Sequence, residues 1–180
     1  MKNVVTITFN GLNESGQLKE ETLYVRNKED GILKTYYENG KTKYEIPYKN
    51  GKIHGILKEY YESGKVFSET PYVNGKRHGI RKEYYENGEL MSEIPFVNGK
   101  IHGIWKTYHK NGQIKCETPL INGKIHGIEK RYYESGQLES ETPFVTGLRD
   151  GIRKEYDENG KLKTEMVYVM SIIKTLKFLI

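Results

Sequence analysis

An all-β fold is predicted, an elongated single-layer antiparallel meander of repeated hairpins, and three observations predict it. The first is a 24-residue step: Gly51, Gly75, Gly99, Gly123 and Gly147 keep it, as do Gly31 to Gly151 and Gly16 to Gly160, together 18 of the 19 glycines. All five prolines (Pro47, Pro71, Pro95, Pro119, Pro143) and four of the five histidines (His54, His78, His102, His126) follow the same step. Self-similarity at such a period marks a repeat architecture. The second is a pair of turn signals in each unit, such as Asn50-Gly51 and Ser63-Gly64, of the kind that close β-hairpins. The third is what lies between them: Ile56–Tyr61 and Val66–Thr70 are rich in β-branched and aromatic residues.

The elements follow in order. Residues 1–25 hold a degenerate part-repeat whose leading segment, Val4–Phe9, reads as a capping strand. Residues 26–169 are six full repeats, 26–49, 50–73, 74–97, 98–121, 122–145 and 146–169, each one hairpin. Residues 170–180 drop the turn motif, and Ile172, Ile173, Leu176, Leu179 and Ile180 would share one helical face. That tail is read as a helix or strand capping the last hairpin, with a membrane-contacting tail or a truncated end without a role as alternatives. Twelve to fourteen strands at about 4.8 Å each span roughly 60 Å.

Charge sets the register. A two-residue turn at Ser63-Gly64 pairs Lys58 with Glu69 and Tyr60 with Phe67, and a four-residue connection from Asn74 to Arg77 then puts Glu69 beside Lys82. The outcome is a row of alternating sign, from Lys34 and Glu45 through to Lys154 and Glu165. Opposite charges across strands contribute about 0.2–1 kcal/mol each, so a slipped register loses repeatedly. The same register puts Tyr72 between Gly55 and Gly79, rings over bare backbone. Pro71 offers no N–H, so the ladder is expected to stop there. Gly64 and Gly75 serve the two turns.

Composition narrows the function. Aromatic residues make up 12% and include 15 tyrosines, which argues against disorder. Charged residues at 29% and a hydrophobic fraction of 36% leave too few apolar runs for a parallel sheet buried on both faces. The single cysteine, Cys116, excludes an internal disulfide framework. The start has one basic residue and then a polar-interrupted pattern, unlike a secretory leader, so a cytoplasmic setting is expected.

No catalytic, cofactor or metal site is expected. The four spaced histidines should lie about 9.6 Å apart, two strands on, too far to share one ion whose bonds to nitrogen are about 2.1 Å. Asp30 and Asp150 hold the same place in the outer repeats, which suits a polar turn position. Glu69 and its equivalents are expected between two lysines each, as a structural charge ladder and not an acid–base pair. Cys116 stands where other repeats have Ser68, Ser92 and Ser140. Specific nucleic-acid binding is not expected despite a net charge of +5, because the regular lysines alternate with glutamates. The excess positive charge sits in turns, at Lys52, Lys76, Lys100, Lys124, Arg77 and Arg149.

The unit Asn-Gly-Lys-x-His-Gly, then Tyr-Tyr-Glu-Asn-Gly, then Glu-x-Pro-Tyr-Val-Asn-Gly resembles the MORN repeat over residues 16–169, and is closest to its bacterial variant. The commoner MORN unit has Gly-x-Gly after the connecting turn, whereas Leu33, Leu57, Arg81, Trp105, Glu129 and Arg153 hold the third position here. The resemblance implies a non-enzymatic protein that binds another protein, of the antitoxin or immunity type that neutralises a bacterial toxin. Scaffolding or self-association, and peripheral membrane attachment through turn lysines and the tail, are the alternatives it leaves. That third position and the second tyrosine position (Tyr37, Tyr61, Tyr85, His109, Tyr133, Asp157) vary and share the face opposite the Lys–Glu row. Arg81, Tyr85, Trp105 and His109 are therefore expected at the centre of a partner surface.

Overall fold

The computed structural model describes the backbone of residues 4–5, 11–12, 16, 18–22, 24–25 and 30–178, and side chains at 11, 16 and 30–172. Every element among them is a β-strand, and every described pairing is antiparallel between strands near in sequence. The chain divides into two compact units, residues 1–89 and 90–180.

In the first unit Gly31–Tyr36 pairs with Thr42–Lys49, which pairs with Gly55–Tyr60, which pairs with Val66–Val73, which pairs with Gly79–Tyr84. Leu18–Thr22 precedes them against Gly31–Tyr36. Val4–Val5 pairs with Tyr24–Val25 in a ladder of its own; the rest of the expected capping strand lies outside the described residues. The second unit repeats the scheme from Leu90–Val97 to Leu162–Val169. It ends on a strand, Ile172–Phe178, paired with Leu162–Val169, so the tail is extended and not helical; Leu179 and Ile180 lie outside the described residues.

The charge-derived register is present in both units. Lys34, Glu45, Lys58, Glu69 and Lys82 stand directly opposite one another in turn. So do Glu93, Lys106, Glu117, Lys130, Glu141, Lys154 and Glu165.

Five local expectations are corrected. The Ser63-Gly64 turn is not a two-residue one: Tyr61 N donates to Lys65 O (2.8 Å) and Gly64 N to Tyr61 O (2.8 Å). Of its residues Gly64 alone has positive φ, 88°, as in a type I turn closed by a glycine bulge. The extra residue shifts the register, so Tyr60 faces Val66 and not Phe67. The connecting turn is the two-residue one, with Asn74 at φ 50° and Gly75 at φ 80°. Lys76 and Arg77 then pair back with Val73 and Tyr72 before a bulge at Gly79 restores the pairing of Glu69 with Lys82.

Tyr72 accordingly faces Gly55 on one side and Arg77, not Gly79, on the other. Gly79 meets the Pro71 ring instead: a Cβ there would stand 3.0 Å from Pro71 Cγ, at φ +112°. The ladder does not stop at the proline. Ile56 faces Pro71 and Gly55 faces Tyr72 beyond it. Pro71 O accepts from His78 N (3.0 Å), so its missing N–H also points toward the next repeat, where the bulge asks for no donor.

Candidate functional site

Residues opposite in register share a face, so the pairings define two. On the ladder face Lys34 Nζ meets Glu45 (2.9 Å), Lys58 meets Glu69 (3.2 Å), and Lys106 meets Glu117 (3.5 Å). The first tyrosine of each repeat adds its hydroxyl to the preceding glutamate: Tyr60 to Glu45 (2.8 Å), Tyr108 to Glu93 (2.9 Å), Tyr132 to Glu117 (3.0 Å). Burial, then the bond to the glutamate, pushes Tyr60, Tyr108 and Tyr132 up to about 12. Burial also raises Glu45, but the bonds from Lys34 and Tyr60 and the field of Lys58 outweigh it, leaving that carboxyl below its ordinary value.

The ladder face also carries what sequence reasoning missed. Ile32, Ile56, Ile80, Ile104, Ile128 and Ile152 are 41–52% exposed, and Val73, Val97, Ile121 and Val169 continue the apolar margin toward the connecting turns. The signal was there: isoleucine follows glycine in all six repeats, two residues before the ladder lysine and thus on its face.

The opposite face is closed by small polar side chains. Ser68, Thr70, Ser140 and Thr142 are at most 2% exposed, beneath the half-buried third-position row. In the first unit Arg81 reaches Glu83 (2.9 Å) and Glu59 (3.9 Å), with its Nε buried and unbonded. Tyr85 closes its hairpin turn, its N donating to Glu89 O (2.8 Å). In the second unit Trp105 faces Thr118, half-buried, with its Nε1 buried and without a hydrogen-bond partner. His109 Nε2 donates to Tyr132 O (2.8 Å). That bond is structural in kind: Tyr37, Tyr61 and Tyr133 give the same bond to the next repeat, at 2.6, 2.7 and 2.8 Å. Asp157, last in that row, instead accepts from Asn159 N and Lys161 N in its own turn.

An open cleft of about 240 Å³ on this face is lined by Arg131, Tyr133, Glu139, Ser140, Arg153 and Lys163 among others. Its arginines are already engaged, Arg131 with Glu129 (3.1 Å) and Arg153 with Glu155 (2.6 Å). Burial pushes the Cys116 thiol up against the bond from Thr118, which disfavours a thiolate nucleophile. The turn histidines hold backbone: His54 N donates to Pro47 O (3.0 Å) and His54 Nδ1 accepts from Asn74 N (3.4 Å). Asp30 and Asp150 accept from the backbone N of Asn50 and Met170 in the same way. Among the described residues no helix is long and apolar enough to cross a membrane.

Residues 29–50, 53–74, 77–98, 101–122, 125–145 and 149–170 match the family described as the MORN repeat variant. The chain belongs to that family. Each MORN match begins near a connecting turn and takes in one hairpin, the unit that the hydrogen bonds delimit. MORN repeats are in general protein- or membrane-binding modules. No curated protein matches this chain.

Proposed function

We propose that this MORN protein is a non-enzymatic binding module that holds a protein partner on a face of its sheet, in the manner of an antitoxin or immunity protein that neutralises a bacterial toxin. The observation that carries the reading is the isoleucine row, half-exposed at every repeat beside a neutral charge ladder. Apolar surface that recurs in register and is left uncovered marks an interaction site. A preordered repeat surface loses little entropy on binding, so occlusion of the partner is a sufficient mechanism. The antitoxin form rests on the resemblance to the bacterial variant. On the opposite face, Arg81 and Tyr85 of the first unit and Trp105 and His109 of the second each offer further contacts. Affinity capture with the intact chain should retrieve one dominant partner near equal stoichiometry, and co-expression with that partner should relieve its growth arrest. Capture of no partner by the intact chain contradicts the protein-binding reading, and a partner that arrests nothing contradicts the antitoxin form.

Self-association is a second reading, favoured by one observation. Leu148, Val169, Met170 and Ile172 are 44–60% exposed at the end of the second unit, where Leu148 takes the position that Lys52, Lys76, Lys100 and Lys124 hold in earlier repeats. Light scattering with and without residues 170–180 tests it: a mass that stays monomeric in both removes it.

A further inference from the structure

The connecting-turn margin of the first unit holds a feature that the fold alone does not account for. Lys49 stands directly opposite Lys52 across the Asn50-Gly51 turn. Like charges directly opposite are destabilising, and elsewhere the same place pairs an apolar residue with the lysine: Val73 with Lys76, Val97 with Lys100, Ile121 with Lys124. Both lysines are exposed, as is Lys76 on the next turn. Among the described residues none of the three has an ion-pair partner. The nearest glutamates of the ladder are committed, Glu45 to Lys34 and Tyr60, Glu69 to Lys58 and Tyr84.

Beside this row, whose first turn also holds the Asp30 carboxylate on Asn50 N, Ile32, Ile56 and Ile80 run on the same face, at 41%, 52% and 51% exposure. The margin is thus an apolar row about 5 Å per strand across, rimmed by unpaired ammonium groups. From this, and resting on the protein-binding reading above, we infer that the first unit's margin docks an acidic amphipathic segment of a partner protein, apolar side chains on Ile32, Ile56 and Ile80 and carboxylates on Lys49, Lys52 and Lys76. A second copy of this chain would bring lysine against lysine. An anionic bilayer would press its phosphates onto Glu45 and Glu69 as well as onto the lysines, whereas a protein segment can place its carboxylates at the rim alone.

The test uses the full chain and four labelled probes: a synthetic leucine/glutamate amphipathic peptide, its leucine/lysine counterpart, phosphatidylglycerol vesicles, and duplex DNA. The acidic peptide should bind with an affinity that falls as salt rises, and the lysine peptide should not bind. Lys49→Glu should weaken the acidic peptide about tenfold while raising the thermal midpoint, because it turns a like-charge pair into an opposite one. Ile56→Ser should weaken binding comparably with circular dichroism unchanged. Failure of the acidic peptide to bind, binding indifferent to both substitutions, or variant-sensitive binding of vesicles or DNA in its place each overturns the inference. A captured natural partner still held by both variants but released by Trp105→Ala would overturn it too, and leave the protein-binding reading standing.

Discussion

The two faces of the sheet invert the usual reading of a repeat. On the ladder face nearly every position is the same from repeat to repeat, yet its isoleucines are about half exposed. On the opposite face the third position runs through leucine, arginine, tryptophan and glutamate, yet these side chains are half-buried over Ser68, Thr70, Ser140 and Thr142. Sameness does not mean burial, and variation does not mean exposure. The ladder face repeats because charge alternation and the tyrosine–glutamate bonds must hold from strand to strand. The other face varies because a small buried floor tolerates different walls: Arg81 pairs with Glu83 and Arg153 with Glu155, while Trp105 keeps its Nε1 unbonded.

Substitutions should break this contrast in a defined order. The largest loss belongs to neither face but to the bulge: Gly79→Val needs a branched side chain at φ +112° and 3.0 Å from the Pro71 ring. It should cost roughly 2–4 kcal/mol in urea unfolding. On the varied face, Tyr61→Phe leaves the Tyr84 carbonyl without its 2.7 Å donor and should cost about 1–2 kcal/mol. His109→Tyr restores the commoner residue of that row and should fall within about 0.5 kcal/mol of the unsubstituted protein. A larger loss would mean that the histidine is kept for something other than its bond to Tyr132.

On the ladder face Lys58→Glu sets three carboxylates side by side and should cost about 1 kcal/mol, an effect that salt reduces. The tyrosines there supply a pH test. Their folded values lie near 12 against an ordinary 10.0, so the proton is held more tightly in the folded chain. That contribution is complete below pH 10 and is lost as pH rises toward 12. Tyr60→Phe should flatten the alkaline decline in thermal midpoint, and an unchanged decline would remove these hydroxyls as its cause.

Much of this was legible in the residues. The period fixes the hairpins, and alternating lysine and glutamate fix the pairing of Lys58 with Glu69 and Glu69 with Lys82, because only one register satisfies every charge. Turn geometry was less legible. Asn-Gly ends a type I turn with a glycine bulge as readily as it forms a two-residue turn, so Ser63-Gly64 and Asn50-Gly51 look alike and differ in structure. The proline–glycine contact depends on that bulge and could not be read without it. Exposure was the least legible. The side of the sheet on which Ile56 lies follows from parity, but what covers that side depends on packing that no periodicity encodes.

The division between the faces is tested most directly by one paired measurement, thermal midpoint and retention of the captured partner, on Ile56→Ser and Thr142→Val. Ile56 is 52% exposed on the ladder face, and Thr142 is 1% exposed on the other, accepting from Arg153. Ile56→Ser should release the partner with its midpoint unchanged, while Thr142→Val should lower the midpoint and keep the partner below it. A partner released by Thr142→Val and still held by Ile56→Ser would contradict the division.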